Sequence, residues 1–541
     1  KPEPAAAWRS RSGHKGRKKR TRSPMDHRTN NLGYFNYRAA ETHGDRMALL
    51  DLSHDPIAEI THAELNGRMN RVAAALSDQS LQVGDRILLA MGNRYEFIEA
   101  FFGCMRAGLI PIPLNIKLGS ETIDFIIEDS DAKAAIIEPA CNPNLVPIVD
   151  KRQVPIRIAT APAPPGWLDY EAFLMSADPD SFAPPEISSG QIAFLPYTSG
   201  STGRPKGVLL SHEGMLWGIR TSQQYWPCQP DERTLVAGPL YHKNAMRVSI
   251  KPKLHVGASA VILPKFEPRQ FLRALADHGC TDTGGVPAMY RMMLAEDDLL
   301  ASLDFPRLHS LEMGSAVVGA DLIKAVEDSF GAPVEEAYGL TEGGGPLRQP
   351  LDGRHVPRGS CGVVAPEVEV KLVDENGKEH PDFGELWVRS PAVLSGYNNR
   401  PELNRERLTD GWLHTNDLVR RDGDGFFYFM GRTDDQFSCG GENIQPKEVE
   451  LLLVQHPAVI DAVVLPITHD VKGLAPAALV TLRTNADVDE QALKEFCLEN
   501  GPAYAHPRRI FAIDALPVGG TGKVDRKAAK ETIEAFMADG A

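Results

Sequence analysis

The sequence predicts an α/β fold: a large N-terminal domain of doubly wound sheets carrying a β subdomain, then a small mobile α+β domain. Three observations predict it. Short apolar runs alternate with amphipathic helical patterns from Phe35 to about Pro139 and again from Thr234 to Glu342, as parallel strands joined by crossover helices do. Polar and apolar residues then alternate singly in Glu367–Val373 and Gly384–Arg389, either side of Asn376-Gly377, the pattern of antiparallel strands joined by a tight turn. Beyond Asp434, helix and strand patterns mix behind a Gly-rich entry, which marks a separate unit. The expected boundaries are a disordered basic leader at 1–24, an N-terminal domain at 25–433 and a mobile C-terminal domain at 434–541.

Each element has a local reason. Phe35–His43 reads as a helix and Met47–Leu50 as a strand. Thr61 caps a helix through Leu65, Met69, Val72, Ala73 and Leu76, with Glu64 at capping-box spacing. Arg86–Ala90 is a strand. Glu96–Ala107 is a helix with Phe97, Ala100, Phe101 and Cys104 on one face. An extended run at Leu109–Leu114, a helix at Ser120–Ile127 and a strand at Ala134–Ile137 follow. The Pro-rich stretch 140–190 reads as an irregular surface connection. Strands resume at Thr234–Ala237, Ala258–Leu263, Leu308–Met313 and Val334–Ala337, with helices at Pro268–His278 and Ala320–Phe330. Asp282–Pro287 is read as the start of a helix through Met293. The last unit has a helix at Pro446–His456, strands at Asp461–Leu465 and Ala477–Leu482, and a helix opened by Asp487 with Glu490 three residues on.

Composition excludes several classes. The 541 residues suffice for a large core and more than one domain. No apolar run reaches the length of a membrane span; Phe101–Met105 stops at Arg106. Seven cysteines with no Cys-x-x-Cys pair argue against a structural zinc site or disulfide framework and fit a reducing, cytoplasmic setting. A net charge of −14 speaks against nucleic acid as a partner. The basic leader, densest at Arg17–Arg20, lacks the apolar segment of a secretory signal, and Met25 is read as the natural start.

Between two apolar runs lies Tyr197-Thr198-Ser199-Gly200-Ser201-Thr202-Gly203-Arg204-Pro205-Lys206-Gly207. Small residues let backbone N–H groups approach an anion, hydroxyls add donors, and Lys206 adds a positive charge. Such a loop suits a triphosphate, though the Walker A spacing cannot be laid over it.

Four further stretches follow in order: Tyr338-Gly339-Leu340-Thr341-Glu342; Gly411 to Asp417; Gly431-Arg432-Thr433-Asp434-Asp435 with Gly440 to Ile444; and Gly520-Thr521-Gly522-Lys523-Val524. With the glycine loop, these motifs resemble the adenylate-forming superfamily of acyl-CoA synthetases, stand-alone adenylation domains and luciferases, from about Phe35 to Phe536. The resemblance implies two steps. A carboxylate attacks the α-phosphate of ATP, giving an acyl-adenylate and pyrophosphate; a thiol, that of coenzyme A, then attacks the mixed anhydride. The alternatives are an enzyme that loads a separate carrier protein and a nucleotide-binding homologue without catalysis. A homodimer is among the assemblies allowed.

The same resemblance assigns residues. Thr198, Ser199, Gly200, Ser201, Thr202, Gly203 and Lys206 hold the β- and γ-phosphates. Thr341 bonds an α-phosphate oxygen, and Glu342 binds Mg²⁺. Tyr338 stacks on adenine, whose edge meets backbone at Gly314, Ser315 and Ala316. Asp417 and Arg432 take the ribose. Lys523 swings in to the reacting carboxylate and α-phosphate, Asp434 is the hinge, and Gly440 and Gly441 line a pantetheine tunnel. His242 gates the acyl carboxylate, with Asn244, Ala245, Met246, Gly285, Met313, Gly339 and Leu340 as pocket walls. Asn416 stands where the family has glycine, and asparagine tolerates glycine-like backbone angles. Arg247, Lys251 and Lys253 are unusual in this stretch. They can pair with a second carboxylate on the substrate, or face solvent or CoA phosphates; charge runs are usually solvated, which favours the latter.

Overall fold

The computed structural model describes residues 27–198, 204–314, 320–483, 486, 488–519 and 523–538. The basic leader lies outside them. The N-terminal body holds two largely parallel sheets. One has five strands, in the order Ile110–Pro113, Arg86–Ala90, Ala134–Ile137, Ile156–Ala159 and Leu168–Asp169, all parallel. The other has seven, in the order Val334–Ala337, Ser310–Gly314, Asp282–Gly285, Arg233–Val236, Ser259–Ile262, Met47–Asp51 and Ala58–Thr61. Only its last pair is antiparallel. The first strand of the chain, Met47–Asp51, therefore enters this sheet beside Ser259–Ile262, a pairing no local pattern announces.

The expected α/β alternation is present. Helix Tyr95–Arg106 is buried along its whole length, so both its faces carry apolar residues. Thr61 and Glu64 form the reciprocal capping box at the start of helix His62–Ser77.

Three local readings are corrected. Within 140–190, helices Leu145–Lys151 and Tyr170–Met175 and strands Ile156–Ala159 and Leu168–Asp169 extend the five-stranded sheet. Pro147 sits in the first turn of helix Leu145–Lys151, where its missing N–H costs little, the other prolines lie outside these elements, and the short run Ile156-Arg157-Ile158-Ala159 gains its order by pairing with Ala134–Ile137. Asp282–Gly285 is a strand, held between two parallel neighbours, and the helix begins at Pro287, where proline suits a first turn. The helix cap is Asp489, whose carboxylate accepts from the Ala492 N–H, rather than Asp487, which lies outside the described residues.

The β subdomain is a six-stranded antiparallel sheet built on Glu369–Val373, Phe383–Arg389, Trp412–Arg421 and Phe427–Arg432. From Phe437 onward, Val459–His469 and Gly473–Leu482 form a long hairpin in a second five-stranded sheet. Its apolar residues, with those of helix Arg526–Ala538, make a core of their own. Arg291 bridges from the body to Asp461 on this unit at 2.7 Å. Among the described residues, no helix is long and apolar enough to cross a membrane.

Candidate active site

The candidate residues come from separate strands and loops, and several of them touch. Lys206 opens strand Lys206–Ser211, with its ammonium 5.3 Å from the Tyr397 ring. The loss of solvent pulls its pKa down, while the nearby Glu342 opposes that shift. The adjoining loop, Ser199 to Gly203, lies outside the described residues, as do Ser315 and Ala316. The Thr198 hydroxyl is buried with no partner among the described residues, an orphan donor beside that loop.

Tyr338, Asp417, Arg432 and Asp434 form a chain of contacts. The Tyr338 hydroxyl donates to Asp417 Oδ2 at 2.5 Å, and Arg432 donates to Asp417 Oδ1 at 2.9 Å. The rest of the Arg432 guanidinium grips Asp434 through two bonds of 2.8 and 3.0 Å. Burial pushes the Asp417 carboxyl up to about 6 despite Arg432. Asn416 has φ +60°, the left-handed conformation expected of a residue in a glycine's place. Its N–H donates to Glu385 Oε1 at 2.8 Å, which aims the next residue, Asp417, inward.

Lys523 arrives from the C-terminal unit. Val518 and Val524 bridge, and the Gly519 N–H donates to the Lys523 carbonyl at 2.7 Å, so the lysine sits on a tight turn. The turn's tip, 520–522, lies outside the described residues. Lost solvation lowers the Lys523 ammonium, while Asp417 and Glu342 act to raise it. Lys523 in turn depresses His242, whose imidazole burial holds down at about 4. His242 caps its own helix, Nδ1 accepting from the Asn244 N–H at 3.3 Å. Lys206, Glu342, Asp417, Arg432, His242 and Lys523 therefore share one electrostatic environment.

Other candidates are placed differently. Gly440 and Gly441 close the hairpin between Phe437–Cys439 and Glu442–Ile444, with φ of +61° and +93°. That two-residue turn explains both glycines; it is exposed and bonds Lys472. Met246 and Met313 are packed in two different cores of the body. Gly285 backs onto Tyr290 and Met289. A β-carbon on Gly339 would come within 2.8 Å of the Gly344 carbonyl, so only glycine fits between Tyr338 and Leu340.

Sequence reasoning missed a cavity next to these residues. Trp217, Lys243, Arg247, Lys251, Gly345 and Arg348 are among its lining side chains and backbone. Arg247, Lys251 and Lys253 do not face solvent, which corrects the expectation: Lys251 and Lys253 are 4% and 5% exposed. The helix they belong to is covered by Gly214–Gly218 and by the loop after Glu342. The available signal was the four-residue spacing of 243, 247 and 251, which puts three cations on one helical face.

A doubly wound body, a β subdomain supplying an aspartate, and a second unit delivering a lysine define an adenylate-forming ATP enzyme. The chain belongs to the AMP-binding enzyme family, whose model matches residues 36–398, followed by the AMP-binding enzyme C-terminal domain at 448–523. It is 33% identical over 471 residues to a feruloyl-CoA synthase of Amycolatopsis sp, covering 86% of this chain and 92% of that protein. It is 30% identical to an oxalate–CoA ligase of Arabidopsis thaliana, over 86% and 92% of the two chains. ATP-bound MatB from Rhodopseudomonas palustris superposes with a TM-score of 0.83 at 29% identity, covering 93% of this chain and 99% of that one. Within the family the chain is an AMP-forming acyl-CoA synthetase, an acid–thiol ligase that uses ATP and CoA; carrier loading and a silent homologue are not favoured.

Proposed function

We propose that this ATP-dependent carboxylate–CoA ligase works through the site described above, with Lys523 as its adenylation lysine. One observation carries the reading: Tyr338 and Arg432 both bond Asp417, and Lys523 rides on a tight turn of a different folding unit, near enough for the Asp417 charge to act on it. Two anions must meet for a carboxylate oxygen to attack the α-phosphorus and expel pyrophosphate. Lys523 and Lys206 offset that repulsion and hold the reactants in line. Thr341 donates its hydroxyl to an α-phosphate oxygen, and the Ser199 to Gly203 loop cradles the outer phosphates. Asp417 accepts the ribose hydroxyls, Tyr338 covers adenine against Gly314, and Arg432 steadies Asp417.

Neutral His242 stands beside the acyl carboxylate, where its low pKa keeps a proton from competing for that group. Asn244 and Leu340 border the acyl end. In the second step the CoA sulfur bonds the acyl carbon, AMP leaves with the electron pair of the broken C–O bond, and the thiol proton passes to solvent. Gly440-Gly441 would reach the pantetheine arm only after the C-terminal unit turns about Asp434. Glu342, near enough for its charge to act on Lys206, offers a carboxylate that suits Mg²⁺, which takes most of its ligands from phosphate and water. When bound, that ion would neutralise phosphate charge. The reading also fits a cytoplasmic enzyme with seven free cysteines, and it allows a homodimer.

The relatives' names span an aromatic acid and a dicarboxylic acid, so they do not choose a substrate. Pyrophosphate release across aromatic, fatty and dicarboxylic acids, with and without CoA, tests the function. The expected result is acid-dependent release with a CoA thioester as product. Release with no thioester would favour carrier loading, and no release with any acid would sink the reading.

Asp417 predicts a pH dependence. Its folded value of about 6 lies above the ordinary 3.8. Between the two, the folded protein holds the proton more tightly than the unfolded chain, so this group subtracts stability as pH rises through that window. Below about 6 the carboxyl is protonated and its pull on Arg432 and the ribose weakens. KM for ATP is therefore expected to rise as pH falls through about 6, and Asp417→Asn to flatten that rise. His242, held near 4, adds no inflection there.

A further inference from the structure

The helical stretch after His242 is built to turn cations inward. Lys243–Ala245 leads into a π-helical turn, Met246–Ile250, and then into helix Lys251–Val256. The Lys251 N–H donates to the Met246 carbonyl five residues back. Such wide turns concentrate at functional sites. The wide turn keeps Arg247 and Lys251 in register with Lys243 along the cavity wall. Opposite them Arg348 lies flat on Gly345, where a β-carbon would come within 3.0 Å of the guanidinium. Glycine at 345 is what admits that guanidinium.

These cations are buried and short of acids. Lys243, Lys251 and Arg348 are 8%, 4% and 4% exposed. Lys243 is spoken for, donating to the Thr341 carbonyl at 2.6 Å. Arg247 reaches Asn244 at 3.3 Å and Glu312 at 3.7 Å. Arg348 donates its Nε–H to the Gly345 carbonyl at 3.3 Å and lies 4.8 Å from the Trp226 ring and 5.7 Å from the Tyr225 ring, but its terminal Nη1 has no hydrogen-bond partner among the described residues. Among the described residues the Lys251 ammonium meets only the Met215 sulfur, at 3.9 Å. Burial and Arg247 pull it down to about 7, with no carboxylate acting to raise it. Glu312 is an acid whose charge acts on both Arg247 and Arg348.

Lys253, two residues further on, provides the contrast. It is equally buried, yet Glu232 and Asp282 each meet its ammonium at 2.6 Å. That is how this fold satisfies a buried lysine whose role is structural. Lys251 and Arg348 are not satisfied in that way, and an uncompensated buried charge is strongly unfavourable.

The cavity adjoins the reacting end. Lys243 follows His242 in the chain, and Gly344-Gly345 follow Thr341-Glu342. Its free space is about 10 Å³, roughly one water, so the long side chains of Lys251 and Arg348 must part to admit even a carboxylate, and a bulkier tail has no room there. Lys251 is eight residues beyond Lys243, up to about 12 Å along a helix at 1.5 Å per residue.

We propose that the acid this enzyme activates carries a second carboxylate, received by Lys251 and Arg348, with Arg247 beside them, at the end remote from the bond being made. The proposal rests on the ligase reading and names its substrate class: a short dicarboxylic acid. A planar carboxylate matches the guanidinium fork of Arg348, and the lysine supplies a second donor. A monoacid of the same length would leave both cations unpaired.

The test compares kcat/KM, by pyrophosphate release, for linear diacids of three to eight carbons against their half-amides, which keep the shape and lose the far charge. Wild-type protein is expected to favour the diacid by about 100-fold, and Lys251→Met to bring that preference within about tenfold, as for loss of one buried charge partner. Lys251→Arg should restore much of the preference. Equal use of diacid and half-amide by wild type, or an unchanged preference in Lys251→Met, overturns the proposal. If no acid is adenylated, the ligase reading fails separately, and calorimetric binding of the diacid then decides. Binding that weakens in Lys251→Met supports the site; its absence overturns it. Should Lys251→Met not fold, Arg348→Gln carries the same comparison.

Discussion

Lys523→Ala is expected to slow acid-dependent pyrophosphate release by about 10²–10³-fold, the usual loss when one preorganised charge is removed from a developing anion. Thioester formation from supplied acyl-AMP should stay within about threefold, because the phosphate-to-carboxylate charge Lys523 offsets has by then been resolved. The split follows from the geometry. Lys523 stands on the turn between Val518 and Val524, and its charge is felt at His242, on the far side of the cleft. Measuring the two half-reactions separately checks it. Equal losses in both would point to a general disturbance of the C-terminal unit, and no loss in either would remove Lys523 from the chemistry.

Asp434→Pro is expected to divide the half-reactions the other way. Asp434 lies in the short 3₁₀ turn Thr433–Asp435 between the β subdomain and the C-terminal sheet. Proline fixes φ near −65° and so resists the large dihedral change a hinge must absorb. The pose with Lys523 in the cleft should persist. Adenylation is expected within about tenfold of wild type, and thioester formation from acyl-AMP lower by about 10²-fold, the scale of a misplaced reacting group. Asp434→Asn is the control. It weakens the two-bond grip of Arg432 on the carboxylate but leaves the backbone free. If the asparagine variant reproduces the proline effect, the ion pair, and not the hinge, is responsible.

The legible parts of this fold were those with local causes. The Thr61–Glu64 box, the buried helix Tyr95–Arg106 and the left-handed Asn416 each follow from a few neighbouring residues. The illegible parts depend on distant partners. Ile156–Ala159 is a strand because Ala134–Ile137 offers it a ladder, and Met47–Asp51 finds its place only beside Ser259–Ile262. The ATP-side candidates were readable because their residue types answer the needs of phosphate, ribose and carboxylate. The cation cluster was not, because solvation is the usual fate of charged runs, and burial is decided by what covers a helix. Here the cover is Trp217 on one helix and Gly344-Gly345 on a loop, both remote in sequence. The pair Gly440-Gly441 is also what a two-residue hairpin turn requires, so turn geometry makes it readable without a ligand.

The wide turn at Met246–Ile250 amounts to one extra residue wound into an otherwise regular helix. It is therefore a place where chain length can change without a change of phase. Deleting a single codon there would let the turn close to the ordinary helical step. Lys243 and Lys251, then seven residues apart, would still lie within about 20° of one face, because seven steps of about 100° make nearly two full turns. Charge at the far end of the cavity is thus buffered against the loss of one codon at this turn.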